Sequence, residues 1–215
     1  MSSPYINTEM ANAAFSSTIS RGRGRPREFD LEAALDKSVR IFRERGYHAT
    51  SIADLTEAME LASGSVYKAF KDKRAVFLAT FDHEGKRRGE KLRQLLRTAK
   101  SGRDRVRVVL TFYADSSYGV EGERGCLIVG SAAEMVTFDA EVRQRVTAAL
   151  RTAETLMVDL IRQGQTDGSI PAAIDRKVTA RLMLCLLQGM RVIGKTGRKR
   201  TDMRAVAKAA MKLLA

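Results

Sequence analysis

The chain is poor in the residues that carry most catalytic and cross-linking chemistry, with two cysteines and two histidines among 215 residues. Cys126 and Cys185 are too few for a disulfide framework and lack metal-ligand spacing, so no metal or cofactor is implied and a reduced cytoplasm is expected. Neither histidine stands in a triad-like pattern with a cysteine, serine or acid, and no glycine-rich nucleotide fingerprint follows a strand. An enzyme is therefore not expected. No apolar run is long enough to cross a membrane, and the opening M-S-S-P-Y-I-N-T-E-M lacks the basic start and apolar block of a secretory signal. Period-two segments and internal repeats are also missing, which leaves an all-α fold. Acids are scarce as well: 25 Asp and Glu stand against 38 Lys and Arg, a net charge of +13. That imbalance favours a polyanionic partner.

What the chain has is helical periodicity, and its most informative stretch is Tyr47–Arg74, Y-H-A-T-S-I-A-D-L-T-E-A-M-E-L-A-S-G-S-V-Y-K-A-F-K-D-K-R. Ile52, Leu55 and Met59 share one face of a helix that starts at Thr50 or Ser51. Thr50 is a good N-cap, and Asp54 suits the helix dipole in the first turn. Val66 and Phe70 define a second helix from about Ser63 to Phe70. Only a tight turn fits between the two, which makes a helix-turn-helix whose second helix can enter a DNA major groove. That helix presents Ser63, Gly64, Ser65, Tyr67 and Lys68. Its small residues let backbone approach DNA, and its hydroxyls and lysine can bond phosphates or base edges.

The runs G-Y-x-A-T-S-I-x-D-L and A-S-G-S-V-Y-K-A-F-K-D-K resemble the DNA-binding domain of TetR-type transcriptional regulators over about Phe29–Phe81. The resemblance implies a phosphate contact from Thr50, recognition-helix roles for Ser63, Ser65, Tyr67 and Lys68, and a phosphate anchor at Lys73. Leu61 departs from the family, which usually has a glycine-containing turn there. The R-G-C-L-I-V and L-L-Q-G-M-R-V-I segments also resemble effector domains in one branch of the family.

The rest of the chain divides into a flexible tail (residues 1–20), a basic arm (21–28), the helix-turn-helix head (29–75) and a helical effector-binding and dimerisation domain (76–215). In the arm, Arg23 and Arg25 stand between glycines and Pro26; they can lie along phosphates or reach into the minor groove, or the arm is a solvated linker. Leu31, Leu35, Val39 and Phe42 form the first helix, capped by Asp30 and closed by Gly46. His48 reads as a surface or cap residue. A long helix starts near Asp72 and is weakened in the middle by Gly85 and Gly89. Ser101 and Asp104 open a further helix, followed by a glycine-rich loop, Y-G-V-E-G-E-R-G, in which Glu121 and Glu123 read as solvated. Cys126 opens a short buried helix. Asp139 and Asp175 cap two longer helices, and a last one starts near Thr201.

A regulator needs a second, ligand-responsive site. Phe112, Tyr113, Ser116, Cys126, Met135 and Met157 are candidates for an apolar pocket, with ordinary core as the alternative for each. The last two helices carry Leu182, Cys185, Gly189, Val206, Ala210 and Leu213, apolar and small enough for close helix approach in a homodimer. The expectation is a repressor released from a palindromic double-stranded DNA operator by an unknown small-molecule effector. The alternatives are a redox or electrophile sensor acting through Cys126, and a constitutive architectural DNA binder.

Overall fold

Among the described residues, six of ten α-helices begin on an aspartate or serine whose side chain accepts amide hydrogen bonds from the first turn, which satisfies donors that a helix start leaves open. The computed structural model describes residues 30–215, so the tail and the arm with Arg23 and Arg25 lie outside the described residues. Asp30 caps α1 (Leu31–Arg45), Ser51 caps α2 (Ile52–Met59), and Asp72 caps α4 (Lys73–Leu96). Ser101 caps α5 (Gly102–Asp115), Asp139 caps α8 (Ala140–Thr166), and Asp175 caps α9 (Arg176–Gly194). Between these run α3 (Ser63–Ala69), α6 (Gly119–Glu123) and α7 (Leu127–Ala133), and α10 (Arg200–Ala210) ends in a 3-10 turn. No strand occurs among the described residues, and the fold is all-helical.

Three local expectations change. Ser51, not Thr50, is the N-cap of α2, and it forms a reciprocal capping box with Asp54. Thr50 is buried, and its hydroxyl donates to the Gly46 carbonyl at 2.6 Å. The turn after α2 is made without glycine: Glu60 takes the left-handed conformation at φ 58°. The glycine-rich segment after α5 is not a solvated loop but a one-turn helix, α6, held by contacts far away in sequence. Glu121 accepts from Arg43 of α1 and pairs with Arg124. By contrast, α4 runs unbroken through Gly85 and Gly89.

The apolar core has two parts. One joins α1–α4 to α7 and the start of α8, with Phe42, Leu55, Val66 and Phe77 packed alongside Leu127, Phe138 and Val142. The other lies among α5, α8, α9 and α10, around Leu110, Met157, Met183 and Leu214. The N-terminal head is therefore not an isolated bundle. Its core continues into the segment from Leu127 to Val146.

Candidate nucleic-acid interface and effector cavity

The head orients α3 through Val66 and Phe70, which are buried against the other helices and leave the opposite side free. Ser63, Gly64, Tyr67 and Lys68 are exposed and Ser65 is half-buried. Tyr67 is an apolar body held in water at 54% exposure. Thr50 is not on this surface: burial and its bond to Gly46 make Ser51 the accessible hydroxyl at the start of α2. Lys73 is half-buried. Its ammonium donates to the Tyr47 carbonyl at 3.0 Å and lies 4.3 Å over the Tyr47 ring, which fixes the charge at the start of α4 while leaving N–H groups for a phosphate.

The head is tied to the second domain by aromatic packing and by ions. Tyr47 meets Phe77 and Phe138 at ring-centre distances of 4.9 and 5.2 Å. His48 stacks on Phe138 and is 2.6 Å from the Thr137 hydroxyl, so it joins the two domains rather than facing solvent alone. Arg74, at the start of α4, donates to both Asp139 oxygens and to Glu141. The Arg74 bonds, helped by amides of the first turn of α8, hold the Asp139 carboxyl at about 2, well below its ordinary 3.8. Deeper in, Arg43 of α1 uses its whole guanidinium: Nε donates to the Gly125 carbonyl at 2.9 Å, Nη1 to the Glu121 carboxylate at 3.0 Å, and Nη2 to the Glu121 carbonyl at 2.9 Å.

Gly125 also faces the second domain's interior. Arg191 of α9, 1% exposed, donates from Nη2 to that same carbonyl at 2.5 Å. Arg191 lines a cavity of about 310 Å³ enclosed by α4, α5, α7, α8 and α9. Phe112, Tyr113 and Cys126 line it as expected. The other three candidates do not. Met157 is buried in the core among α5, α8, α9 and α10, Met135 borders a separate surface groove with Arg143, and the Ser116 hydroxyl donates back to the Phe112 carbonyl. The walls are mostly apolar, with Leu92, Val109, Leu156 and Leu187, and the two glycines of α4, Gly85 and Gly89, open one side. Arg88 lies 4.8 Å over the Phe112 ring. Burial pushes the Tyr113 phenol up, so it stays protonated and able to donate at neutral pH.

Arg43, Arg88 and Arg191 are cavity-lining residues that the sequence does not single out. For Arg191 a signal was present. It lies four residues after Leu187 and eight after Met183, on the buried stripe of α9, where a charge is out of place. For Arg43 the partners are about 80 residues away, and nothing local announces them.

On the far side of the second domain, α9 and α10 leave apolar side chains in water. Val178, Leu182, Val192, Ile193 and Val206 are 37–62% exposed, and Cys185 is exposed beside them. A Cβ on Gly189 would meet nothing within 4 Å. Two of the expected interface residues turn the other way: Ala210 is buried in its own subunit, and Leu213 packs against the same core. The buried face of α10 is Met203, Ala207 and Ala210, one position off the stripe that Val206 begins.

Among the described residues, no cluster of His, Cys, Asp and Glu that could hold a metal is present and no helix is long and apolar enough to cross a membrane. The HTH-type transcriptional repressor ComR of Escherichia coli is 26% identical over 196 residues, covering 91% of this chain and 93% of that one. A cysteine variant of the TetR family transcriptional regulator CifR, complexed with 26-bp double-strand operator DNA, superposes with TM-score 0.79 at 32% identity, covering 89% of this chain and all of that one. The regulator FadR of Bacillus subtilis in complex with stearoyl-CoA shares the fold, with TM-score 0.69 at 16% identity and coverage of 86% and 97%. The family model for bacterial regulatory proteins of the tetR family matches residues 34–80, and that for the tetracyclin repressor-like C-terminal domain matches 102–210. The chain belongs to the TetR family of transcriptional regulators.

Proposed function

We propose that this regulator is a homodimeric repressor that a small molecule, bound in the 310 Å³ cavity, releases from a palindromic operator. The observation that carries the reading is the Gly125 carbonyl, which accepts from Arg43 of the head and from Arg191 of the cavity wall. A ligand that displaces Arg191 changes the seat of Arg43, and through it the placement of α1 and the helix-turn-helix. Such a ligand weakens DNA binding by its differential affinity for the two arrangements, and DNA weakens the ligand equally. The exposed α3 supplies the groove contacts, with Ser63, Ser65, Tyr67 and Lys68 at the DNA and Lys73 anchoring a phosphate. The apolar face of α9 and α10 supplies the two-fold contact that spaces the heads. The DNA-bound CifR structure is consistent with this use of the fold.

The test uses a palindromic duplex that the protein selects from random sequence and a small molecule found to release it. Arg43→Met should keep ligand affinity, measured by calorimetry, and lose most of the ligand's effect on DNA affinity. Undiminished release by the same ligand would show that the signal does not pass through Arg43.

The cavity also holds the basis of a second reading. Cys126, a free cysteine, lines the cavity with Arg191, so an electrophile that enters the cavity meets its thiol. Release that survives Cys126→Ser assigns the response to reversible binding alone.

A further inference from the structure

The chemical class of the ligand can be read from the charges that the protein leaves unmatched. Four charged side chains line the cavity: Arg43, Glu84, Arg88 and Arg191. Every guanidinium nitrogen of Arg43 is bonded, to Gly125 or Glu121, and Glu84 is matched by Arg87, whose Nη2 donates to it at 2.7 Å. Arg88 and Arg191 have no carboxylate partner among the described residues. Arg191 is the more demanding of the two. It is buried, Nη2 donates to the Gly125 carbonyl, the Cys126 side chain is the other polar group against the guanidinium, and neither Nε nor Nη1 meets an oxygen or nitrogen acceptor. A buried cation with open N–H groups is costly unless something completes it. Burial pushes its pKa below the ordinary value, Cys126 beside it pulls the other way, and Arg88 adds to the lowering. An anion at this point offsets the repulsion from Arg88 and gives the open N–H groups an acceptor.

We propose that the cavity binds an amphipathic carboxylate, its anionic oxygens accepting from the free N–H groups of Arg191 and its apolar body lying along Leu92, Val109, Leu156 and Leu187. A protonated Tyr113 hydroxyl is a further donor near the same end. The low-dielectric surroundings make a charge-assisted bond at Arg191 stronger than in water, and the apolar walls select against small hydrophilic anions. A bound carboxylate competes with the Gly125 carbonyl for Arg191, the bond on which the repressor reading depends. This inference therefore rests on that reading.

The test is a binding panel on the full chain by calorimetry and thermal shift: decanoate, 4-phenylbutyrate and 2-naphthoate, each beside its primary amide. The expected result is a carboxylate that binds at least tenfold tighter than its amide. Arg191→Met removes that preference while amide binding stays or improves. Gly85→Leu, which projects into the cavity from a position where a Cβ meets nothing within 4 Å, abolishes binding of both forms. Should Arg191→Met not fold, Arg191→Lys takes its place: it keeps the cation and is expected to retain a reduced preference. Amides binding as tightly as their carboxylates would overturn the assignment of ligand charge while leaving the effector cavity standing. If no member of either set binds a folded, DNA-competent protein, the cavity itself is not the effector site, and both readings fall.

Discussion

Gly189→Leu separates what the subunit needs from what a partner needs. Within one subunit the substitution is favourable, since a Cβ at this position meets nothing within 4 Å and Gly189 lies inside the 19-residue helix α9. Replacing glycine by leucine in a helix interior gains somewhat less than the roughly 0.8–1 kcal/mol that separates glycine from alanine. Any loss must therefore come from outside the subunit. Val178, Leu182, Cys185, Gly189 and Val192 recur at steps of four and three, so they form one stripe, and a second copy packing on it would approach most closely at the glycine. Forcing a leucine into such a contact costs about 1–3 kcal/mol per site. In a two-fold dimer the site occurs twice, so the total is about 2–6 kcal/mol, a roughly 30-fold to ten-thousand-fold weaker dimer. Sedimentation velocity across a dilution series reads the dissociation constant, and thermal unfolding of the dissociated subunit reads the local gain. DNA affinity should fall with dimerisation, because two heads on one duplex act as linked sites. A Gly189→Leu dimer with wild-type dissociation and DNA titrations would place the interface on other helices.

Three further outcomes are expected. Tyr67→Ala and Lys68→Ala, both on the exposed side of α3, should each weaken operator binding by about 1–3 kcal/mol without unfolding the protein; fluorescence-anisotropy titrations with wild-type affinity would remove α3 from the groove. Glu60→Gly should raise the unfolding midpoint by about 1–3 °C, since relief of the left-handed backbone outweighs the exposed pair with Lys37, and a lowered midpoint would show that pair to be worth more. For Asp139 the sign is set by its depressed pKa. The stabilisation from its ionised form is fully present above the ordinary 3.8 and is lost as the pH falls toward about 2. Asp139→Asn keeps a good N-cap and removes the charge, so wild type should be the more stable protein above pH 4, and the gap should close between pH 4 and 2 in thermal scans.

The elements legible from the sequence are those whose signals are local. Asp30, Asp72, Ser101, Asp139 and Asp175 announce their helices because the capping side chain and the amides it serves lie within three residues. Thr50 and Ser51 were not separable in the same way: both are adjacent hydroxyls, and the choice is made by burial of Thr50 beneath the turn at Gly46. The helix α6 was missed because its own sequence, G-V-E-G-E, disfavours helix; Arg43 and Arg124 hold Glu121 in place from outside it. The cavity was half legible. Aromatic character marks Phe112 and Tyr113, whereas the rotation of α8 turns Met157 into the core and Met135 sits in the 3-10 turn after α7, at a separate groove. Ala210 failed by one position of rotation for the same reason.

The route from cavity to DNA is constrained by what the head touches. Its core is continuous with Leu127, Phe138 and Val142, and the polar bonds that the head and the first half of α4 make to the second domain include Glu121, Arg124, Gly125, Glu134, Thr137, Asp139, Glu141 and Arg145. All of these lie in one segment of 25 residues, from Glu121 to Arg145, that passes the cavity at Cys126 and Leu127 and ends on the first turns of α8. A ligand cannot move the head through α4 alone without also moving this segment, because Arg74, Phe77 and Asp82 of α4 are bonded or packed to it. The two ends of the segment differ in what holds them. The Asp139 end is an exposed ion cluster, screened by water and salt. The Gly125 end is a single carbonyl between two buried guanidiniums, one facing the head and one facing the cavity. Two like charges on one acceptor is an arrangement that an incoming anion can reorganise at low cost, since drawing Arg191 away removes a repulsion as well as a bond. Under the proposed release mechanism this asymmetry assigns the response to the Gly125 end, while the Asp139 end holds the head to the start of α8.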